Sequence, residues 1–133
     1  MKTLLITVGI LCLFFSCSEK VDYNKIFKEN QNRQYAISEL KTALKNTGTI
    51  PELEIDYDAK PIPDTRSAVN IAEKILFKVY GNEEIKKQRP YNVVFQTNYW
   101  IINGTMSKTE IGGVFLIILN SKDGKILKLI HGE

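Results

Sequence analysis

The C-terminal part of the chain contains a run that is apolar on both faces of a strand. In GVFLIILN, residues 113–120, every residue from Val114 to Leu119 is apolar, whereas a strand with one face in water alternates apolar and polar residues. The residues SKDG follow, which favours a short hairpin turn with Gly124 at positive φ. We therefore expect a strand over 113–120 that is central in its sheet and covered on both faces, followed by a second strand over 125–131.

Two helices are predicted upstream of this hairpin. Residues 33–46 place apolar side chains at helical spacing. Residues 65–80 are more strongly periodic, with apolar residues at i, i+3, i+4, i+7, i+8 and i+11. Asp64 is a good N-cap and Gly81 a good C-cap for the second helix. Both segments are therefore predicted to be amphipathic helices that lie on a sheet.

An alternating acidic segment is predicted to form a strand over residues 51–58. Its apolar residues face one side, and four carboxylates face the other. We expect a solvated edge strand; an acidic docking face for a protein and a metal site are the alternatives. Same-face residues on a strand lie about 6.6–7 Å apart, which is too far for several of them to converge on one ion. The acidic residues of this segment are Glu52, Glu54, Asp56 and Asp58.

The predicted elements give an α+β fold. After a polar connector over residues 82–90, strands over 91–97 and 98–106 precede the C-terminal hairpin, so four strands form a meander. The helix over 65–80 covers one apolar face of this sheet. The other face has to meet the N-terminal helix, the rolled sheet itself or another molecule, because burying three aliphatic side chains is worth roughly 4–9 kcal/mol.

The N-terminus has the pattern of a secretory signal. One lysine precedes an apolar run from Leu4 to Phe15. This run is too short to span a bilayer core, which requires a helix of about 20 residues. The sequence ending at Cys17 is similar to a bacterial lipobox, so we expect residues 1–16 to be removed and Cys17 to be diacylated. Plain secretion with an incidental cysteine is the alternative. Several acyl chains would anchor the protein stably to a membrane.

The rest of the chain is predicted to be one domain without a cofactor or a metal. Residues 17–32 are predicted to be a lipidated tether and the start of the N-terminal helix, and residues 33–133 a single domain. Since Cys12 leaves with the signal, no internal disulfide and no thiolate metal site is expected. The net charge of +3 is small and the lysines are scattered, which argues against nucleic-acid binding.

The sequence contains no recognisable catalytic motif. Its single histidine, His131, has no orienting partner nearby in the sequence, so we interpret it as the end of a strand. A phosphate loop, a nucleophile elbow and a histidine–carboxylate metal spacing are all missing from the sequence. The only tryptophan, Trp100, is interpreted as core. We expect a binding protein that is not an enzyme.

Residues 63–133 resemble the bacterial immunity proteins with a nuclear-transport-factor-2-like fold. The resemblance depends on the order and spacing of several short pieces and does not extend to residues 18–62. These pieces are Ala72-Glu73, Tyr80-Gly81, Arg89-Pro90-Tyr91, Trp100, Gly104-Thr105, Gly112-Gly113-Val114, Lys122-Asp123-Gly124-Lys125-Ile126 and His131-Gly132.

The resemblance implies a cystatin- or nuclear-transport-factor-2-like domain, with helices packed on a curved antiparallel sheet and a C-terminal β-meander. It also implies a partner, because such proteins bind a cognate bacterial toxin and neutralise it. The lipoprotein signal would place this protein in the bacterial cell envelope, on the periplasmic face or the outer membrane.

Partner-binding residues are expected on the predicted acidic strand and at the edge of the sheet. An envelope lipoprotein that binds a small ligand is the alternative function, and an enzyme of the same fold is a third reading. The residues expected to contact the toxin are Glu52, Glu54, Asp56, Asp58, Tyr99 and Glu110.

Overall fold

The structure is a computed structural model that describes residues 18–46 and 55–132. These residues contain one short 3-10 helix, three α-helices and five strands. The 3-10 helix is Tyr23–Lys25; the α-helices are α1 (Arg33–Lys45), α2 (Thr65–Tyr80) and α3 (Asn82–Lys86); the strands are β1 (Phe27–Glu29), β2 (Tyr91–Gln96), β3 (Tyr99–Asn103), β4 (Phe115–Asn120) and β5 (Ile126–His131).

The five strands form one mixed sheet in the order β1-β2-β3-β4-β5. Strands β2 to β5 are successively antiparallel, which confirms the predicted meander. Strand β1 pairs with β2 in parallel, with Phe27 opposite Tyr91. The prediction that residues 17–32 form only a tether and the start of a helix was therefore wrong for residues 27–29, which extend the sheet.

Strand β4 is covered on both faces, as its composition predicts. Phe115, Ile117 and Leu119 belong to a buried apolar cluster that includes residues of α2. Leu116 and Ile118 belong to a second cluster on the other face. The middle strand by order is β3, so β4 lies one position away from the predicted centre, between β3 and the edge strand β5.

Helix α2 covers the first face of the sheet over the predicted residues. The Asp64 carboxylate accepts a hydrogen bond from the Ser67 backbone N–H at 2.8 Å, and this bond lowers the pKa of Asp64. The buried residues of α2 follow the predicted spacing. They are Ala68, Val69, Ala72, Ile75 and Leu76.

Helix α1 covers the second face of the sheet. Of the three predicted possibilities, the N-terminal helix, the rolled sheet or another molecule, the structure therefore shows the first. Its buried residues are Ala36, Leu40 and Ala43, and they pack in one cluster with side chains from β2, β3 and β4. An ion pair between Lys128 of β5 and Glu39 of α1, 2.8 Å long, ties the helix to the far edge of the sheet.

The acidic segment does not form the predicted strand where the structure describes it. Residues 55–58 have no regular secondary structure, and residues 51–54 lie outside the described residues. Ile55 and Tyr57 still pack against the first cluster, and the Tyr57 hydroxyl donates to the Gly124 carbonyl at 3.1 Å. Alternation of burial therefore arises here from side-chain packing without a ladder of backbone hydrogen bonds.

Candidate functional site

The long loop between β3 and β4, residues 104–114, is fixed at its base. The Gly104 N–H donates to the Phe115 carbonyl at 3.0 Å, and the Thr105 N–H donates to the Gln88 carbonyl at 2.9 Å. The Thr105 hydroxyl also donates to the Pro90 carbonyl at 3.0 Å. These bonds join the loop to the segment that follows α3, so both segments form one surface.

A buried glutamine connects this surface to the ends of β4 and β5. Gln88 is 7% exposed, and its side-chain oxygen accepts from the Phe115 N–H at 2.9 Å. Its amide nitrogen lies 2.9 Å from His131 Nε2 and 3.3 Å from the Glu84 carbonyl. One glutamine side chain therefore holds a helix, a strand and the histidine together.

His131 has both ring nitrogens occupied. Its Nδ1 lies 2.7 Å from the Gly132 carbonyl, which can only accept, so Nδ1 is assigned as the protonated nitrogen. Nε2 then accepts from the Gln88 amide, and the ring packs 4.9 Å from that of Tyr80. This arrangement favours a structural role for His131, in keeping with its interpretation from the sequence.

Two glycines, Gly113 and Gly132, let the end of the loop approach the backbone after β5 closely. A Cβ atom on Gly113 would lie 2.1 Å from the Gly132 Cα, a distance that no side chain can adopt. The Gly132 N–H donates to the Val114 carbonyl at 3.1 Å. The second half of the loop is thereby held against the end of β5.

The side chains above this base form an exposed, mixed surface. Ile111 is fully exposed and Met106 is 41% exposed, and they border a cleft of about 370 Å³ together with Glu110. Lys87 and Glu84 form an ion pair of 3.0 Å at its rim, and this hydrogen bond raises the pKa of Lys87. We call these residues, Glu84, Lys87, Met106, Glu110 and Ile111, the loop surface.

A second polar network lies beside the base, between α2 and β2. Glu73 Oε1 accepts from Arg89 Nε at 2.9 Å and from the Tyr91 hydroxyl at 2.7 Å, and Arg89 Nη2 is a third donor. Burial, followed by the hydrogen bond to Glu73, raises the pKa of Tyr91. All three hydrogen bonds end on Oε1, so the network joins the segment that carries Gln88 to α2.

Residues 67–133 match the family described as NTF2 fold immunity protein. The chain belongs to this family. It is 34% identical over 67 residues to the uncharacterized protein YhhH of Escherichia coli (strain K12), covering 50% of this chain and 53% of YhhH. It is 29% identical over 87 residues to the uncharacterized protein YbbC of the same organism, covering 63% of this chain and 71% of YbbC. This chain thus spans about half the length of YhhH. No solved structure matches it.

Membership in the NTF2 fold immunity proteins confirms the predicted family and fold class. The fold is α+β, with helices on both faces of the sheet. The expected all-antiparallel sheet needs one correction, because β1 is parallel. Apart from Trp100, which is buried in the first cluster, the pieces of sequence that carry the resemblance lie in the base of the loop surface, in the Glu73 network or in the turn at Gly124.

The predicted partner-binding residues of this family member lie in separate places. Glu110 belongs to the loop surface. Asp56 and Asp58 border a different cleft of about 380 Å³, next to lysines of α2. Tyr99 is partly buried at the start of β3, against the second cluster. Glu52, Glu54 and the predicted lipidation site Cys17 lie outside the described residues.

Sequence reasoning missed Gln88 and Ile111. A glutamine within the polar run NEEIKKQRP has nothing that distinguishes it from a solvated one, and its burial depends on partners far along the chain. The only signal for Ile111 is one isoleucine in the otherwise polar run SKTEIGG. Such a residue is equally compatible with the core, so periodicity could not identify it as exposed.

The described residues offer neither a cluster of metal-ligating side chains nor a membrane-spanning helix. Within residues 18–46 and 55–132, no group of three or more histidine, cysteine, aspartate or glutamate side chains is placed to hold a metal ion. Across the same ranges, no helix has the length and apolar character needed to cross a membrane.

Proposed function

We propose that this chain is an immunity protein that binds a cognate bacterial toxin and neutralises it by occlusion. The match of residues 67–133 to the immunity family is the observation that carries this proposal. Binding without turnover is supported by the interior, because every buried side-chain nitrogen and oxygen among the described residues has a hydrogen-bond partner. Both ring nitrogens of His131 are engaged by neighbours, and Glu73 Oε1 accepts hydrogen bonds from Arg89 and Tyr91, which favours structural roles for both side chains.

The loop surface is our choice for the toxin contact. It presents two exposed apolar side chains, Met106 and Ile111, surrounded by charged groups, which is the composition of an interface core with a polar rim. Its base is held by backbone bonds and by Gln88. A preorganised loop loses less conformational entropy on binding, so its apolar contacts contribute more to affinity.

The acidic residues near Asp56 receive less support as a toxin contact. The Lys78 ammonium donates to the Asp56 carbonyl, and Lys60 lies 3.4 Å from the Asp58 carboxylate. Neighbouring lysines reduce the net negative charge that a basic partner would meet. A contribution of Asp56, Asp58 and Tyr99 to binding stays a prediction.

A growth assay tests the proposed function. Cells that produce a candidate toxin domain from a neighbouring gene should grow when residues 18–133 are supplied in the same compartment. Ile111→Glu should weaken protection strongly, because a charge at the centre of an apolar contact has to be desolvated. Leu44→Glu is the matched control, since Leu44 is also an exposed apolar residue, 43% exposed on α1.

The outcomes of this assay distinguish a wrong immunity function from a wrong choice of contact surface. If the wild-type chain neither restores growth nor binds the purified toxin domain, the immunity function is refuted. If the wild type protects and Ile111→Glu protects equally well, the loop surface is the wrong contact. Circular dichroism of both variants should show unchanged folding.

We further propose that Cys17 is lipidated and that the protein is anchored in the bacterial cell envelope. The signal-like N-terminus with its lipobox-like ending supports this proposal. Metabolic labelling with an alkyne analogue of palmitate should mark the wild type and not Cys17→Ala. Unlabelled wild-type protein in the soluble fraction would refute the anchor.

A further inference from the structure

We propose that the anchor holds the domain against the bilayer by one particular side, with the loop surface directed away from the membrane. The membrane-facing side is the Tyr23 side, which we define by Tyr23, Lys25, Lys28 and Arg66. This inference rests on the proposed lipidation of Cys17. It adds an orientation, which determines how a partner can reach the protein.

The tether between the anchor and the domain is short. Only Ser18, Glu19, Lys20 and Val21 separate Cys17 from Asp22. A fully extended chain gains at most about 3.6 Å per residue, so Cys17 and Asp22 lie within about 18 Å of each other. A flexible chain of this length has an average reach of about 12 Å.

The chain is fixed to the domain directly after this tether. The Asp22 carboxylate accepts from the Asn24 N–H at 3.2 Å, and the Arg66 guanidinium lies 3.9 Å from the centre of the Tyr23 ring. The Tyr91 N–H donates to the Ile26 carbonyl at 2.8 Å, which leads into β1. Residues 22–29 therefore do not lengthen the tether.

The loop surface lies at the other end of α2. Arg66, which packs over the Tyr23 ring, is in the first turn of this helix. Tyr80, the last residue of the helix, packs on His131 below the loop surface. Helix α2 has 16 residues, which corresponds to a length of about 24 Å. This length exceeds the reach of the tether, so the bilayer meets the Tyr23 side first.

Charge does not explain the orientation. Near the anchor, Lys25 forms a loose pair with Asp22 at 4.0 Å. Lys28 and Arg66 line one cleft together with two carboxylates, those of Glu29 and Asp64. A balanced surface of this kind gains little from anionic lipids. The orientation should therefore be the same on neutral and on anionic vesicles.

Chemical footprinting on vesicles tests this orientation. Residues 17–133 contain Cys17 as their only cysteine, so it can be coupled to a maleimide lipid in phosphatidylcholine vesicles. Exposed lysines are then acetylated with a membrane-impermeant reagent and quantified by mass spectrometry. The control is the same protein with Cys17 blocked by N-ethylmaleimide and mixed with the same vesicles.

Coupling to the lipid should reduce labelling of Lys25 and Lys28 several-fold and leave Lys108, on the loop between β3 and β4, unchanged. Insertion of about 20 Gly and Ser residues after Ser18, with an average reach of about 25 Å, should restore labelling of both lysines. Adding phosphatidylglycerol to the vesicles should change neither result.

Three results would overturn the orientation: unchanged labelling of Lys25 and Lys28, equal protection of Lys108, or protection that survives the inserted linker. Because the anchor is attached chemically, each result is independent of whether cells lipidate Cys17. Palmitate labelling addresses that separate question, so failure of the anchor and failure of the orientation can be told apart.

Discussion

Replacing Glu73 by alanine should destabilise the domain by removing the acceptor at the centre of a network. Glu73 Oε1 accepts hydrogen bonds from Arg89 and from the Tyr91 hydroxyl. Without the carboxylate, the guanidinium loses its counter-charge, and the hydroxyl keeps only the Ile85 carbonyl, 3.5 Å away, as an acceptor. The segment that carries Gln88 would then lose one of its attachments to α2.

The size of the effect follows from burial. Hydrogen bonds to a charged group contribute about 1.5–3 kcal/mol each, and breaking a fully buried ion pair costs about 3–5 kcal/mol. The Arg89 and Glu73 side chains are 28% and 14% exposed, so water compensates part of the loss. We expect Glu73→Ala to lower the free energy of unfolding by about 2–3 kcal/mol, which corresponds to a fall in Tm of roughly 10 °C.

Urea unfolding followed by the fluorescence of Trp100, the only tryptophan, measures this effect. The control is Glu83→Ala, which removes an exposed glutamate of α3 and should change stability by less than about 0.5 kcal/mol. Glu73→Gln should fall between the two, since its amide oxygen accepts hydrogen bonds without a charge. If Glu73→Ala matches Glu83→Ala, water already screens the network and the reasoning fails.

Three further predictions concern a turn, a titration and the core. Gly124→Ala should lower the free energy of unfolding by at least about 1–2 kcal/mol, because φ is +74° and a Cβ would lie 2.4 Å from the Lys60 carbonyl oxygen. A Tm close to that of the wild type would contradict this prediction. The pKa of Tyr91 is raised above 10.0, so above about pH 10 the unfolded chain loses this proton before the folded chain does, and the free energy of unfolding falls as pH rises. In urea titrations, Tyr91→Phe should reduce this dependence of the free energy of unfolding on pH by up to about 1.4 kcal/mol per pH unit. An unchanged pH dependence would contradict this prediction. Leu116→Ala should lower the free energy of unfolding by about 2–5 kcal/mol, since Leu116 is buried, whereas Leu44→Ala on the exposed side of α1 should have little effect.

Elements with strong local signals could be predicted from the sequence. Helix α2 combines a regular apolar stripe, a capping aspartate and a terminal glycine, and the structure places it over the predicted residues. The composition of β4 correctly indicates burial on both faces. In each case the determining information lies within a few adjacent residues.

Elements that depend on distant partners could not be predicted. Strand β1 has three residues and a single apolar side chain, and it exists because it pairs with β2 more than sixty positions later. The alternation in residues 55–58 has the period of a strand, but these residues pack on the first cluster without strand pairing. Local period alone does not reveal which neighbour a segment meets.

The candidate site was less predictable than the fold. Its base depends on Gln88, whose partners come from α3, β4 and β5, and no local pattern encodes such a meeting. Glu110 was anticipated at the loop, while the exposure of Ile111 is a tertiary property. A resemblance spread over several short pieces therefore carried more information about this site than any single motif.

The position of α1 has a consequence for the part of the chain that the family match covers. Residues 67–133 contain β2 to β5 but neither α1 nor β1. If residues 67–133 were expressed alone, one face of the sheet would expose Val94, Ile101, Leu116 and Ile118 to water. A sheet with such an exposed apolar face is expected to aggregate. The residues that precede the family match therefore cover the second face of the sheet through α1, and residues 67–133 alone should not form a stable monomeric domain.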